Sequence, residues 1–446
     1  MKINQIFKNV LLVNEGQTIA CDVQIKGERI HKIGNDLTDP EANIIDGDGK
    51  YLIPGCIDDQ VHFREPGLTH KADIYSESRA AAAGGVTSFM EMPNTIPNTL
   101  TKDLLEQKYE IAAKNSAVNY SFFMGVSLDN YDDIMSIDYQ HTCGIKIFMG
   151  SSTGGMLVDD PKILEKIFVN ANALIATHCE DENIIKSNLQ LMKDLYGEKL
   201  KASHHPIIRS REACLASSTF AVHLAKRYDT RLHILHISTE EELNLFSNKL
   251  PLIDKRITAE VCVHHLYFDD RNYETHGNLI KCNPAIKNLK DRTSLRRALK
   301  DNILDVVATD HAPHTWEEKN KVFLEAPAGL PLVQHPLLLM LTMASEEGWD
   351  LPFIVQRMAH NPAICFQIKE RGFIKEGYYA DLVLLDLKAT TTVTPDRLLY
   401  KCAWSPLEGH ILNGSICGTW VNGLKVFDGN SVTIQKPGLR IEFNRN

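Results

Sequence analysis

The sequence predicts an α/β fold: a closed (β/α)8 TIM-type barrel with a small β-sandwich-like domain formed by both termini. Three observations predict it. Eight apolar, strand-like runs alternate with helical patterns through the centre of the 446-residue chain. Both ends instead show short alternating strands broken by Gly, Asn and Asp. No G-x-G-x-x-G loop follows the first central run, which disfavours an open doubly wound sheet.

The eight central runs are the candidate barrel strands. In chain order they read GCIDDQVHF, GVTSFMEM, VNYSFFMGV, CGIKIFMG, ALIATHCE, RLHILHIS, ITAEVCVHH and DVVATD. Helical patterns such as YSESRAAAAGG and EACLASSTFAVHLAKRY lie between them. We therefore expect residues 52–385 to form the barrel, and residues 1–51 and 386–446 to form the two parts of the small β domain.

Composition and charge narrow the class of protein. The chain is 43% hydrophobic and 24% charged, which is typical of a soluble globular protein. A formal charge of −9 argues against nucleic acid or an anionic membrane as partner, so an anionic substrate would need local arginines. No apolar run approaches a membrane helix, and MKINQIFKNV lacks a signal-peptide core. Ten cysteines without a C-x-x-C pair indicate a reduced, cytoplasmic protein.

Six of the eight runs carry a chemically useful residue at or near their C-terminal end, the end that faces the active site of such a barrel. Residues two apart on a strand face the same way, so Gln60 and His62 face the barrel mouth whereas Asp59 faces away. The same alternation allows only one of His264 and His265 to face the pocket, in a supporting role. The residues are Gln60 and His62, Lys146, His178, His236, His264 or His265, and Asp310.

Imidazoles and a carboxylate that converge at one rim are typical of a zinc site. The predicted set is His62, His178, His236 and Asp310. In RLHILHIS the two histidines are three residues apart, so one strand cannot aim both inward. His236 is nearer the C-terminal end and is the predicted ligand, and we expect His233 to be structural.

Two of these residues allow more than one interpretation. Lys146 lies among apolar residues, where a buried lysine paired with a carboxylate is the ordinary case. A lysine that takes up CO₂, however, becomes a carbamate whose oxygens can bridge two cations, and burial favours the neutral amine that this reaction needs. Asp310 can be a metal ligand, a general base, both, or the N-cap of the next segment.

Arg64 and Asn94, at neighbouring strand ends, together suggest a receptor for a carboxylate.

The whole set of motifs resembles the dihydroorotases of the cyclic amidohydrolase superfamily. From about residue 50 to 370 the matching pieces occur in family order: PGCIDDQVHFREPG, FMEMPNTIPN, GIKIFMGS, IATHCE, LHILHIS, TAEVCVHHL, KCNPAIK, VVATDHAPHTWEEK and NPAICFQI. The resemblance continues through ADLVLLD and WSPLEG…GTWVNG in the terminal β region.

The resemblance implies a metal-dependent hydrolase that reversibly closes N-carbamoyl-L-aspartate to L-dihydroorotate, the third step of pyrimidine synthesis, with one or two Zn²⁺ per subunit. By motif position the metal ligands are His62, His178, His236 and Asp310, with Asp310 also the catalytic proton acceptor. Lys146 matches the bridging carbamylated lysine of one branch, whereas other dihydroorotases use an aspartate bridge. Positions that match substrate contacts are Arg64, Asn94, Asn283 and His314. A homo-oligomer is compatible with the sequence.

One position departs from the family pattern, which has His-x-His on the first strand where this chain has Gln60-x-His62. A glutamine carbonyl is a harder and weaker ligand for Zn²⁺ than imidazole. It can still coordinate, leave its position to water, or leave one metal site weak or empty. We therefore expect incomplete binuclear occupancy.

Two other functions stay open at this stage. An allantoinase or dihydropyrimidinase would use the same lysine-bearing strand, but dihydropyrimidinase substrates lack the carboxylate that Arg64 and Asn94 would bind. A catalytically impaired homologue could instead serve as a scaffold for a partner such as aspartate transcarbamoylase, and Gln60 motivates that alternative. Retention of the other ligand positions argues against it.

Overall fold

The computed structural model describes residues 3–150 and 155–445, so that Ser151, the last residue of the GIKIFMGS motif, lies outside it. The strands are β1 (Asn4–Asn14), β2 (Gln17–Lys26), β3 (Arg29–Gly34), β4 (Asn43–Asp46), β5 (Tyr51–Pro54), β6 (Cys56–Val61), β7 (Val86–Glu91), β8 (Asn119–Gly125), β9 (Gly144–Phe148), β10 (Ile175–His178), β11 (Leu232–Ile234), β12 (Ile257–Cys262), β13 (Val306–Ala308), β14 (Leu382–Thr392), β15 (Ile411–Val421) and β16 (Leu424–Phe427).

Helices alternate with the central strands. They are α1 (Ile74–Ala83), α2 (Lys102–Asn115), α3 (Tyr131–Met135), α4 (Pro161–Asn170), α5 (Glu182–Tyr196), α6 (His205–Ile208), α7 (Arg211–Tyr228), α8 (Val263–Tyr267), α9 (Tyr273–His276), α10 (Leu289–Lys300), α11 (Trp316–Lys319), α12 (Pro336–Glu347), α13 (Leu351–Val355) and α14 (Asn361–Phe366). None of the described helices is long and apolar enough to cross a membrane.

Strands β6 to β13 form one parallel eight-stranded sheet in sequential order, which confirms the predicted barrel. An isolated parallel bridge between Val61 and His311 joins the first strand to the segment after the last. Each of the eight predicted runs contains one of these strands. Most strand residues are buried on both faces, because side chains fill the barrel inside and helices cover it outside.

The second sheet is built from both termini, as predicted. Its order is β16-β15-β14-β5-β1-β2-β3, with β4 paired to β1. The N-terminal and C-terminal halves meet where β5 pairs antiparallel with β14. The exact domain boundaries at 51/52 and 385/386 stay a prediction.

The strand ends differ in one respect from the sequence-based expectation. The run ITAEVCVHH stops being a strand at Cys262, and His264 and His265 lie in helix α8. The expectation that one of the two faces the pocket by strand alternation was therefore wrong, because strand parity does not extend into a helix. Both side chains are buried.

Candidate active site

A cavity of about 250 Å³ opens at the C-terminal ends of the barrel strands. Gln60, Phe148 and Ala312 line it, together with Pro327, Ala328 and Gly329 of the segment 321–331, which we name the cavity loop. All nine residues that the sequence suggested as metal ligands or substrate contacts also line it: His62, Arg64, Asn94, Lys146, His178, His236, Asn283, Asp310 and His314. The structure thus brings the whole set together, and the individual roles stay predictions.

Two of the histidines face each other across the cavity floor. His178 Nδ1 lies 3.0 Å from His236 Nε2. The other nitrogen of His178 donates to Glu180 Oε2 over 2.9 Å, because a carboxylate can only accept. Burial lowers the pKa of both imidazoles, that of His236 well below its usual value, so both are neutral near pH 7. His178 Nδ1 therefore presents a bare lone pair to His236.

His62 and Asp310 form a second pair of candidate metal ligands that lie close together. His62 Nδ1 lies 2.7 Å from Asn94 Oδ1, and His62 Nε2 lies 3.1 Å from Asp310 Oδ1. Burial lowers the pKa of His62 in spite of the opposing effect of Asp310. With its proton donated to Asn94, the neutral imidazole points a lone pair at a carboxylate oxygen. That contact is repulsive unless a cation lies between the two groups.

Lys146 stands within electrostatic reach of both pairs. It is 1% exposed, and burial lowers its pKa to about 7 although Asp310 and Glu260 oppose the shift. Its charge in turn lowers the pKa of the histidines in both pairs. A substantial share of neutral amine is therefore present at neutral pH.

Three cavity residues other than glycine adopt left-handed backbone conformations: Arg64 with φ 69°, His236 with φ 42° and Asp310 with φ 46°. Such conformations cost about 1–3 kcal/mol each and cluster at functional sites. The His236 conformation is supported by Glu260, whose Oε1 accepts the backbone N–H of His236 over 3.1 Å. The local backbone is thus held in the shape that turns these side chains into the cavity.

Gln60 lines the cavity, as strand alternation predicted. Its Nε2 donates to Asp310 Oδ1 over 3.2 Å, and its Oε1 lies 3.8 Å from Cys262 Sγ. In this orientation the amide holds the Asp310 carboxylate and turns its carbonyl away from it. Asp59, its neighbour, stays outside the cavity wall even though the β6–β7 pairing shifts register between Asp58 and Val61.

Asp59 instead belongs to a buried cluster within the barrel. His233 Nε2 lies 3.1 Å from an Asp59 oxygen and 3.8 Å from a Glu260 oxygen. His233 Nδ1 lies 2.7 Å from the hydroxyl of Thr258. Burial lowers the pKa of His233, but the two carboxylates outweigh it and raise the pKa to about 9. His233 is thus held in an internal ion-pair cluster and does not line the cavity.

The opposite wall is cationic. Arg64 is buried, its Nε donates to the Pro313 carbonyl over 3.0 Å, and its Nη2 lies 3.1 Å from His314 Nε2. Burial, then the charge of Arg64, lowers the pKa of His314 to about 3, so this imidazole is neutral. Arg64 beside Asn94 gives this side of the cavity the donors that a carboxylate needs.

Glu180 is a functional candidate that sequence reasoning missed. It is fully buried, accepts from His178 and pairs with Arg209. Burial tends to raise its pKa, but Arg209 and His178 outweigh that effect and lower the pKa to about 2. A carboxylate two residues after a candidate ligand in THCE was the available signal. Fixing the outer nitrogen of a ligand histidine is what such carboxylates do in metal sites.

The donor set fits a divalent metal. His178 Nδ1 lies 3.0 Å from His236 Nε2, and His62 Nε2 lies 3.1 Å from Asp310 Oδ1, separations close to those between ligands of one zinc ion with bonds of about 2.0–2.1 Å. Both outer imidazole nitrogens are already bound, to Glu180 and Asn94. His62, Lys146, His178, His236 and Asp310 are therefore the residues that could hold one or two ions.

Comparison with known proteins shows the family to which the chain belongs. Residues 51–426 match the model of the amidohydrolase family. The chain is 33% identical over 384 residues to a dihydroorotase of Methanosphaera stadtmanae, covering 85% of this chain and 86% of the relative. It is 32% identical to a dihydroorotase of Halobacterium salinarum, covering 92% and 94%. A dihydroorotase of Pyrococcus abyssi is 30% identical, with 96% of each chain covered.

Solved structures agree on the fold. An L-hydantoinase (dihydropyrimidinase) from Arthrobacter aurescens superimposes with a TM-score of 0.91 at 26% identity, covering 99% of this chain and 100% of the other. A dihydropyrimidinase from Brevibacillus agri gives a TM-score of 0.89 at 23% identity, with 100% of each chain covered. At that identity the second likeness concerns the fold alone.

Zinc should stabilise the folded protein through His178 and His236. A ligand at a hundredfold excess over its Kd adds about 2.7 kcal/mol, a Tm rise of a few degrees, because it binds only the folded state. Chelator-treated protein titrated with zinc in a thermal melt measures this. His178→Ala and His236→Ala should lose most of the rise, whereas exposed His31→Ala should keep it. An undiminished rise in both cavity variants would contradict the assignment.

Proposed function

This chain belongs to the amidohydrolase family, in its dihydroorotase branch, and from that premise we propose that it is a dihydroorotase. It interconverts L-dihydroorotate and N-carbamoyl-L-aspartate by opening and closing a ring amide, a step of pyrimidine synthesis. The observation that carries the proposal is the presence of Arg64 and Asn94 in the same cavity as the histidine, lysine and aspartate set. Arg64 and Asn94 suit the binding of a ring carboxylate, and the histidine, lysine and aspartate set suits amide hydrolysis.

We assign zinc to the cavity, held by His62, Lys146, His178, His236 and Asp310. A bound zinc ion supplies Lewis-acid polarisation of the amide carbonyl and lowers the pKa of water. The short separations within the pairs His178–His236 and His62–Asp310 support this assignment, as do the outer nitrogens of His178 and His62, which are already bound. Gln60 occupies the position of a family histidine as a weaker donor, so one of two metal positions binds more weakly.

Asp310 moves the proton. Its Oδ1 is within hydrogen-bonding distance of His62 Nε2 and Gln60 Nε2, which aim the carboxylate at the cavity floor. In the hydrolytic direction Asp310 accepts a proton from the attacking water and returns it to the ring nitrogen that leaves. The cyclisation direction uses the same groups in reverse.

Arg64 and Asn94 bind the substrate carboxylate. The buried guanidinium is anchored at one edge by the Pro313 carbonyl, so its remaining donors face the cavity. His314 and Asn283 line the same side and complete the substrate contacts. These four residues position the ring and take no part in bond making.

We further propose that Lys146 carries a carbamate. The neutral amine attacks CO₂ and forms an N–C bond, and its nitrogen gives up one proton to solvent, so that the buried side chain becomes an anion. Its pKa near 7 and its place beside both donor pairs support this step. The change of sign also removes the repulsion that a lysine ammonium would exert on a bound metal ion.

A hydantoinase or dihydropyrimidinase is the second candidate, favoured by the similarity to the Arthrobacter aurescens enzyme. Hydantoin and dihydrouracil are neutral, so they would leave the Arg64 guanidinium without a carboxylate partner. All ten cysteines are free, which fits a protein kept in reducing surroundings. Cytoplasmic location and homo-oligomer formation stay predictions.

A substrate comparison separates these candidates. We expect the zinc-loaded enzyme to hydrolyse L-dihydroorotate much faster than allantoin or dihydrouracil, because only dihydroorotate pairs a carboxylate with Arg64. Absorbance assays on the three compounds measure this. Preference for dihydrouracil would identify a dihydropyrimidinase, and no turnover together with no bound metal would identify a scaffold protein.

Substitutions of Asp310 and Arg64 should change the steady-state kinetics in different ways. Asp310→Asn should lower kcat by about 10²–10⁴, because the proton acceptor is lost. Arg64→Met should mainly raise KM, by about tenfold or more, because a charged contact to the carboxylate is lost. Steady-state kinetics with parallel metal analysis measure both. Near-normal kcat in metal-loaded Asp310→Asn would refute the mechanism.

The carbamate can be detected by mass. Native mass spectrometry of zinc-loaded enzyme in bicarbonate buffer should show an added CO₂, which is lost on denaturation or at low pH. Lys146→Met should lack the added mass and the activity, whereas Lys321→Met, an exposed lysine nearby, should keep both. An identical added mass in Lys146→Met would place the CO₂ elsewhere.

A further inference from the structure

Two buried lysines stand behind the cavity loop, and the proposed reaction does not use them. Lys281 is 8% exposed and Lys319 is 1% exposed. The loop, residues 321–331, contains no described helix or extended strand, yet three of its residues form part of the cavity wall. Two backbone hydrogen bonds within the loop, from the N–H groups of Glu325 and Ala326 to the Val322 carbonyl, are supplemented by groups outside it.

Lys319 is bound by three backbone carbonyls, and its Nζ also lies 6.0 Å from the centre of the Trp404 ring. Its Nζ donates to the carbonyls of Lys281 over 3.2 Å, Pro327 over 3.0 Å and Gly329 over 2.8 Å. An ammonium has three N–H donors, and all three are used here. A neutral amine has only two, so the three bonds favour the charged form and oppose burial, which lowers the pKa of Lys319 to about 7.

Lys281 holds the other half of the loop. Its Nζ donates to the carbonyls of Phe323 over 2.6 Å and Ala326 over 2.5 Å, and it lies 4.4 Å from the centre of the Phe323 ring. Its own carbonyl accepts the Gly329 N–H over 2.8 Å. Two ammonium groups thus bind four loop carbonyls, those of Phe323, Ala326, Pro327 and Gly329. The carbonyl oxygen of Ala328 lies 3.0 Å from His314 Nε2.

Among the residues that the structure describes, no carboxylate forms an ion pair with the ammonium of Lys281 or Lys319. The ionisable neighbours that act on Lys319 are Lys281, Arg64 and the thiol of Cys282, and Arg209 acts on Lys281. Buried cations without a counter-ion are costly. An anion bound in the cavity would offset that cost, whereas a neutral ring would not.

We propose that Lys281 and Lys319 form a cationic clamp that fixes the cavity loop as a rigid wall and favours anionic over neutral cyclic amides, a selectivity that rests on the proposed function. Neither ammonium lines the cavity, so both are positioning residues. Arg64 makes the direct contact, and the clamp adds charge behind it.

Lys319→Met tests the clamp, since it keeps the side-chain volume and removes the charge with its three hydrogen bonds. Amide hydrogen exchange should speed up at least about tenfold in peptides spanning 321–331 and stay unchanged in the barrel strands. The KM for dihydroorotate should rise about tenfold with kcat little changed, whereas the KM for dihydrouracil should not move. Lys281→Met should behave alike, and exposed Lys321→Met should match the wild type.

Three results would overturn the clamp. An unchanged rate of amide hydrogen exchange in the loop would refute the proposal that the two lysines fix its shape. An equal rise of KM for charged and neutral substrates would refute the charge selection. Equal effects in Lys321→Met would show a non-specific origin. Should wild-type enzyme fail to hydrolyse dihydroorotate, the proposed function fails, and the exchange experiment together with calorimetric binding of N-carbamoyl-L-aspartate still tests the clamp. Should Lys319→Met not fold, Lys281→Met decides.

Discussion

The contact between His178 Nδ1 and His236 Nε2 is the constraint on which the rest of the site depends. Two neutral imidazoles meet at 3.0 Å, with the outer proton of His178 committed to Glu180. His62 meets Asp310 in a similar way on the other side of Lys146. Ligand atoms that lie this close together, with the outer nitrogens of His178 and His62 already bound, suit a shared cation, which supports a metal site formed before any substrate binds. Strained backbone at His236 and Asp310 fits such a preorganised site.

Much of this could be predicted from the sequence. Periodicity located all eight barrel strands, and the rule that functional groups follow parallel strands brought seven residues to one cavity. Asn283 and His314 line the same cavity and were suggested by the family resemblance alone. Strand alternation correctly put Gln60 with His62 and separated His233 from His236, because those positions lie on or directly after regular strands. It failed for His264 and His265, where the chain turns into helix α8, a change that no local residue pattern announced.

What could not be predicted depends on contacts between distant segments. Glu180 was two residues from a candidate ligand, but its bond to His178 needs the fold. The sequence assigned no role to Lys281 in KCNPAIK or to Lys319 in TWEEK, and only the folded loop shows their carbonyl partners. Gln60 was recognised as a departure, and the structure adds that its amide nitrogen holds Asp310. Sequence patterns thus identify which groups converge, and the fold decides what each one touches.

The most direct test is a crystal structure of the zinc-loaded enzyme with anomalous scattering recorded at the zinc edge. The account predicts a peak about 2.0–2.1 Å from His178 Nδ1 and His236 Nε2, with any second, weaker peak beside His62 and Asp310. A peak only in the cluster of Asp59, His233 and Glu260, or no peak in fully active enzyme, would contradict it.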